Sequence, residues 1–360
     1  MQLSRSFARW FPVPKLLTPC GTGVDVSDSS VKWLSLARKG DRATIETYGS
    51  LDVPLGAVQT GAVRDPGVLA EVLKDMKRQA HITCAHAALP EEGAYVFSMR
   101  VPRGSSRAQI ITMIEFELEN RVPIPLAQAV YDYDPIESRD DQDPQIAVTV
   151  FPRELAEGYV EAFKRAGIDL VSLEIEARSI GRAVSGKLDP ITMLVDSGRA
   201  RTGVAILSRG IPIFTSTVEI GGDHMTHAVT EALKLKDAHE AEVFKNEHGL
   251  IPDANTRAGF EVLEKAASTL AGEISRHYRF WDTRRSDSGE RSASVERVYL
   301  LGGSANLRGF PEYIAGKVQV ETVRPNVWRN IFSFDEYIPP IDYRTSFQYA
   351  TAIGLALRAL

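Results

Sequence analysis

With 360 residues, 44% of them hydrophobic and 25% charged, the chain is long enough to build two or more units with cores of their own, which excludes a small stapled scaffold and a disordered polymer. A formal net charge of −5 offers no basic surplus to mark nucleic acid as the main partner. No stretch approaches the ~20 consecutive apolar residues of a membrane span.

The opening MQLSRSFARWFPVPKLLTPC lacks the apolar run of a signal peptide. Pro12, Pro14 and Pro19 make it an irregular leader, with Phe7, Trp10 and Phe11 available to a partner, a membrane or its own domain. Cys20 and Cys84 are the two cysteines. Neither has metal-ligand spacing or a Cys-x-x-Cys partner, so the expectation is two reduced, buried thiols of a cytosolic protein. Gly23–Leu36, GVDVSDSSVKWLSL, reads as a hairpin: two apolar runs around a polar turn. A strand follows at Ala43–Tyr48. Asp65-Pro66 caps and opens a helix to about Ala80. Cys84–Leu89 and Ala94–Val101 read as strands. Ser105 or Ser106 caps a helix to about Asn120, with Ile110, Ile111, Ile114 and Leu118 on one face. After a polar loop at Ser138–Pro144 come a strand at Gln145–Phe151 and a helix at Pro152–Ala166, stopped by Gly167.

A second hairpin begins at Ile191, ITMLVDSGRARTGVAILSRG, followed by a strand at Ile211–Val218. Helices are predicted at 223–235, 237–247 and 256–281. Asp282–Ser294 reads as a charged surface loop. The strand Val295–Leu301 runs into LLGGSANLRGF, and a helix from about Thr345 to Leu360 closes the chain. The mixture predicts an α/β fold. The two hairpins echo one another: apolar strand, Asp, small polar turn, apolar strand. Two such halves facing each other would set their turns across a cleft.

A carboxylate at the end of an apolar strand is costly unless solvated or paired, and suits Mg²⁺ held largely through water. Asp25 and Asp196 stand at such ends. The small residues after them, Ser27, Ser29 and Ser30 in one turn and Ser197, Gly198 and Thr202 in the other, let backbone N–H groups approach a phosphate; Lys32 reaches the same place. Ordinary polar hairpin tips would read the same way. Gly302 and Gly303 allow a flat ring or a sugar to pass without a Cβ in its way. Gly181–Leu188, GRAVSGKL, falls short of a Walker A box, having Leu188 where Ser or Thr is needed and a helix where a strand should precede. His224 and His227 have no third metal ligand at useful spacing.

DVSDSSVK and DSGRART resemble the two phosphate loops of the actin-like ATPases, and LLGGSANLRGF their adenosine motif. Within that superfamily ENRVPIPLAQAVYDYDPI, FPRELAEGYVEAFKRAGIDLVSLEIEARSIGRA, VEIGGDHMTHAV, HEAEVFK and SFQYATAIGLALRAL resemble the PilM family of type IV pilus assembly proteins, with the cell-division protein FtsA as a more distant relative. The matches run from about residue 18 to 360. The resemblance implies an actin-like ATPase fold: two lobes, each with a ribonuclease H-like subdomain, and a small α+β subdomain inserted in the first. It implies subdomain 1A at 18–94, 171–190 and 345–360, an insert 1C at 95–170, 2A at 191–225 and 295–344, and 2B at 226–294.

It also implies roles. Asp25 and Asp196 would hold the shell of Mg²⁺. Ser27, Asp28, Ser29, Ser30 and Lys32 would border the phosphates of ATP from one side, Gly198 and Thr202 from the other. Gly302, Gly303 and Ser304 would border adenosine. Glu242 and Lys245, one helical turn apart, would contact ribose or base, or form a solvated pair. Glu176 would orient an attacking water in what is at most a weak ATPase. Ser27 replaces the usual glycine. Asp28 replaces the usual Thr or Ser, and would repel a triphosphate unless Mg²⁺ lies between or the side chain turns away; Arg199 and Arg201 would either offset it or be exposed hairpin residues. The implied partner is the cytoplasmic N-terminal peptide of a PilN-like membrane protein, seated in a groove that the insert forms with its neighbour. That makes the chain cytoplasmic, peripheral at the inner face of the inner membrane. The competing readings are an active kinase or ATPase, an FtsA-like filament former, and a scaffold that binds peptide without nucleotide.

Overall fold

A computed structural model describes residues 19–39, 42–136, 144–251, 257–285 and 292–360. Phe7, Trp10, Phe11 and most of the two predicted polar loops lie outside the described residues.

The first lobe is built on β1 (Thr22–Val26), β2 (Ser30–Lys39) and β3 (Arg42–Asp52), an antiparallel meander. After the short pair β4 (Val58–Gln59) and β5 (Ala62–Val63) comes α1 (Pro66–Ala80). Asp65 caps it, accepting hydrogen bonds from the N–H groups of Gly67 and Val68. Then β6 (Cys84–Leu89) lies parallel to β1. The insert follows: β7 (Tyr95–Arg100), α2 (Arg107–Arg121), β8 (Ala129–Ile136) and β9 (Gln145–Pro152), in sheet order β7-β9-β8. Ser106 and Gln109 close a capping box on α2. Of the predicted face of α2, Ile114 and Leu118 are buried while Ile110 and Ile111 are half-buried. The chain returns through α3 (Arg153–Ala166), stopped by left-handed Gly167, and β10 (Asp169–Ile175) parallel to β6.

Helix α4 (Glu176–Val184) leads to the second lobe. There β11 (Thr192–Ser197), β12 (Thr202–Ser208) and β13 (Ile211–Val218) repeat the meander. Next come α5 (Gly222–Leu233), α6 (Ala238–His248) and α7 (Arg257–Thr283), then β14 (Arg297–Leu301), α8 (Phe310–Val318) and β15 (Glu321–Val323). The strand orders are β10-β6-β1-β2-β3 and β13-β12-β11-β14-β15. Both read fifth, fourth, first, second, third in one direction or the other, so the echo between the hairpins is a repeated topology.

Alternation with period two assigns each face of the second sheet. Met193, Val195, Val204 and Ile206 pack with Met225, Leu263, Leu270 and Phe310 under the helices of their own lobe. Leu194, Ala205 and Leu207 point the other way and join the core of the first lobe with Trp328 and Ile180. The insert has its own core of Phe97, Ile114, Leu118 and Val148. Its Ile136 and Ala147 reach into the second lobe's core.

Two expectations are corrected. Cys20 and Cys84 form a disulfide, with Cα atoms 6.0 Å apart. Parallel pairing of β1 with β6, Gly23 opposite His86, carries Cys20 alongside Cys84 although 64 positions separate them. The closing helix is broken: one turn at Tyr343–Ser346, a 3-10 turn, α9 (Ala350–Ala356) and another 3-10 turn. Close packing marks the helical segment between the two 3-10 turns. A Cβ on Gly23 would lie 2.1 Å from the Ala352 carbonyl oxygen, and one on Gly354 would lie 1.8 Å from that of Ser179.

Candidate functional site

Asp25 is the penultimate residue of β1 and Asp196 the penultimate residue of β11. Across their ladders they face Lys32 and Gly203. Equivalent positions in two like sheets thus present two carboxylates to one cleft. Among the described residues neither carboxylate makes a hydrogen bond or ion pair. Burial raises both above the ordinary carboxylate range, Lys32 opposing it, and Asp196 is pushed up to about 7 with help from the charges of Glu91 and Asp25.

Glu91 and Glu176 complete the floor. Glu91 follows β6 in a 3-10 turn and accepts a hydrogen bond from the Ala177 N–H, at the start of α4. Its side chain is hydrogen-bonded to that of Glu176. Two touching carboxyl groups do not both ionise. Burial pushes Glu91 up to about 7 and Glu176 well above its usual value, the latter raised further by the charges of Glu91 and Asp25. A Cβ on Gly203 would sit 3.7 Å from Glu91 Oε2, so this carboxyl of the first lobe rests against the hairpin of the second.

Ser27 and Ser30 close the first turn on each other: the Ser30 N–H donates to Ser27 Oγ at 3.1 Å and the Ser27 N–H to the Ser30 carbonyl at 2.9 Å. Lys32 donates to Ser30 Oγ at 2.7 Å. The Asp28 and Ser29 N–H groups make no hydrogen bond among the described residues. Asp28 has turned away from the cleft. Its carboxylate accepts from the N–H groups of Thr60 (3.0 Å) and Gly61 (2.9 Å) and from Arg201 (2.6 Å). Arg201 also pairs with Glu92 at 2.9 Å, so a three-residue ion cluster joins the lobes. Arg199 instead makes an exposed pair with Asp223.

On the far side, the Gly198 N–H is engaged by the Arg201 carbonyl. Thr202 is fully buried and donates to the Ile220 carbonyl at 2.7 Å, so its hydroxyl does not face the cleft. Gly302 takes φ +78, and a Cβ there would lie 2.3 Å from the Ser197 carbonyl and 2.6 Å from Asp196 Oδ1; only glycine fits. Gly303 is the opposite case, with nothing within 4 Å of the place a Cβ would take. Ser304 donates weakly to the Gly198 carbonyl at 3.5 Å. Lys245 is buried, donating to Glu242 at 2.7 Å, to Thr226 Oγ1 at 2.5 Å and to the Gly222 carbonyl at 3.2 Å. It is a buried ammonium beside the cleft and no solvated surface pair. Glu242 is held below the usual range by Lys245 and Thr226 despite its burial.

The structure therefore brings together Asp25, Lys32, Glu176, Gly198, Asp196, Gly302 and Gly303 from both lobes, while Ser27, Ser30 and Thr202 serve mainly their own turns and Asp28 the lobe junction. The reading of sequence misses Glu91 and Glu92, although two acids straight after a buried strand and Pro90 were a signal. Among the described residues no three carboxylate, His or Cys groups are close enough to hold a metal directly. Two unpartnered aspartates would suit a hard cation held through its water.

Two sheets of one topology, each offering an aspartate at its first hairpin, with a glycine corner after β14, define the actin-like ATPase fold. The solved PilM–PilN type IV pilus biogenesis complex is 21% identical, with a TM-score of 0.73 over 94% of this chain and 98% of that one. The ethanolamine utilization protein EutJ of Carboxydothermus hydrogenoformans is 17% identical (TM-score 0.54; 96% and 91% covered). MreB5 of Spiroplasma citri bound to ADP is 13% identical (TM-score 0.55; 93% and 94% covered). At such identities these likenesses show the fold. The sequence profile of the type IV pilus assembly protein PilM matches residues 23–360: the chain belongs to the PilM family. Among the described residues no helix is long and apolar enough to cross a membrane.

Proposed function

We propose that this type IV pilus assembly component binds magnesium–ATP in the cleft and docks the cytoplasmic N-terminal peptide of a PilN-like inner-membrane protein. On this reading it is a cytoplasmic protein held at the inner face of the membrane by its partner. The observation that carries the nucleotide reading is the pair of unpartnered, low-solvation carboxylates, Asp25 and Asp196, at equivalent strand ends. Each demands a cation, and free backbone N–H groups at Asp28 and Ser29 lie in the adjoining turn. Asp28, committed to Thr60, Gly61 and Arg201, no longer argues against a polyanion.

Asp25 and Asp196 would hold the hydrated Mg²⁺, Lys32 and the turn N–H groups the phosphates, Gly303 and Ser304 the adenosine, and Lys245 with Glu242 its ribose edge. Mg²⁺, when bound, would neutralise phosphate charge, and Glu176, beside Glu91, would orient a water in slow hydrolysis. The peptide reading draws on the likeness to the PilM–PilN complex, and it uses the division into subdomains 1A, 1C, 2A and 2B given above, with the groove between insert and first lobe. Calorimetry with Mg-ATP and with the peptide, each with and without the other, tests both. Lys32→Ala combined with Asp196→Ala is expected to weaken Mg-ATP at least tenfold and spare the peptide. Unchanged ATP binding would misplace the cleft; no heat from either ligand sinks the reading.

A further inference from the structure

Helix α4 begins in the carboxylate floor and ends elsewhere. Nine residues carry the backbone about 13 Å to a second, open cavity of about 590 Å³, within the range of small-molecule sites. In an antiparallel meander the second turn lies at the opposite end from the first. The β2–β3 and β12–β13 hairpins therefore meet on the side away from the cleft. They bring Arg38 and Arg209 to the cavity, and α4 with the residues after it adds Arg178, Arg182 and Lys187. Five cationic side chains line this space and, among the described residues, no Asp or Glu does. Arg178 and Arg182 are anchored from behind, by Asp134 (2.7 Å) and Glu174 (2.5 Å).

The helix end itself would be hostile to an anion, because its last carbonyls carry partial negative charge. Here they are covered. The Asn330 amide donates to the carbonyls of Arg182 (2.8 Å), Ala183 (3.3 Å) and Ser185 (2.8 Å), and Arg329 to that of Val184 (3.3 Å). Ser185 supplies an independent sign. It lines the cavity, is 8% exposed, and its buried hydroxyl has no hydrogen-bond partner among the described residues. A buried hydroxyl without a partner costs free energy, and a ligand oxygen would satisfy it. The sequence segment set aside as a failed Walker A box supplies Gly181, Arg182, Ser185, Gly186 and Lys187 to this wall. It follows a helix and forms no P-loop; it contributes cations and the unpartnered hydroxyl.

We infer that this cavity is a second ligand site, distinct from the cleft, for a small soluble molecule carrying two or more phosphate groups. Guanidinium groups match phosphate geometry in pairs. The inference rests on neither the nucleotide nor the peptide reading. Inorganic pyrophosphate is the probe, titrated calorimetrically without magnesium so that the carboxylates of the cleft repel it. One molecule is expected to bind, with affinity falling as salt rises from 50 to 200 mM. Arg38→Ala with Arg209→Ala should weaken it at least tenfold. Arg38 is exposed, and its side chain makes no hydrogen bond or ion pair among the described residues, so Arg38→Gln alone, expected to melt like wild type and to weaken binding at least threefold, guards against misfolding. Ser185→Ala should lower affinity without lowering the melting temperature. Absence of binding by the wild type, or full binding by the double variant, overturns the site.

Discussion

The two ends of α4 make opposite demands of their surroundings. At its first turn Glu176 meets Glu91, with Asp25 and Asp196 close by, and burial holds these carboxyls up toward neutrality. At its last turn Arg182 and Lys187 join Arg38, Arg178 and Arg209 around open space. The order of charge agrees with the helix dipole, acids near the N-terminus and bases near the C-terminus, but the solvation differs. Acidic groups are crowded and partly dehydrated; basic groups stand in or near water, two of them with carboxylates behind. One end answers to proton and cation, the other to salt.

The contrast is broken most severely at the glycine that touches Asp196. Gly302→Val combines a left-handed backbone with overlap on the Asp196 carboxylate. It is expected to cost about 3 kcal/mol in urea unfolding and to abolish Mg-ATP binding, whereas Gly303→Ala leaves stability near wild type. A fold undisturbed by Gly302→Val would refute the corner.

Acidity sharpens the contrast next. Glu91 and Asp196 titrate at about 7 in the fold and near 4 when unfolded. Between these values the folded state binds more protons, so its stability falls as pH rises from about 4 to 7. The decline is on the order of 3 kcal/mol for each of the two groups in the ligand-free protein. Asp196→Asn should remove about half of it, and Mg²⁺ should raise the melting temperature more at pH 7.5 than at pH 5.5. A flat profile would remove the dehydrated carboxylates.

Arg201→Ala strands Asp28 and Glu92 between the lobes and should cost about 2 kcal/mol, partly restored by Asp28→Asn. At the basic end, Gly181→Ala would put a Cβ 2.4 Å from the Gly210 carbonyl. About 1–2 kcal/mol of overpacking is expected there, together with weaker pyrophosphate binding. Smallest is Arg199→Ala, which removes an exposed pair with Asp223 and should shift stability by under ~0.5 kcal/mol. A larger loss would make that pair part of the lobe junction.

The hairpins were legible because a buried strand, an acid and a small-residue turn are local in sequence, and so were the helices that start at Asp65 and Ser106. Long-range pairings were hidden. Cys20 meets Cys84 only through the ladder of β1 with β6, Glu91 becomes a cleft residue only when α4 arrives above it, and Arg38 and Arg209 share a cavity only because both meanders turn at the same end. Asp28 was rightly singled out, yet whether it repels or supports depends on a turn at Thr60–Gly61 that no local pattern ties to it. The closing helix looked continuous because its apolar spacing is helical, yet only Ala350–Ala356, the stretch packed closely on β1 and α4, is α-helical between its two 3-10 turns.

The Asp28–Arg201–Glu92 junction sets a lifetime as well as a shape. On the proposed reading an occupant of the cleft would leave by parting the lobes, and parting would separate an arginine from two carboxylates at 2.6 and 2.9 Å. Residence time is then a property of the junction, adjustable at position 201 without touching a group that faces the occupant.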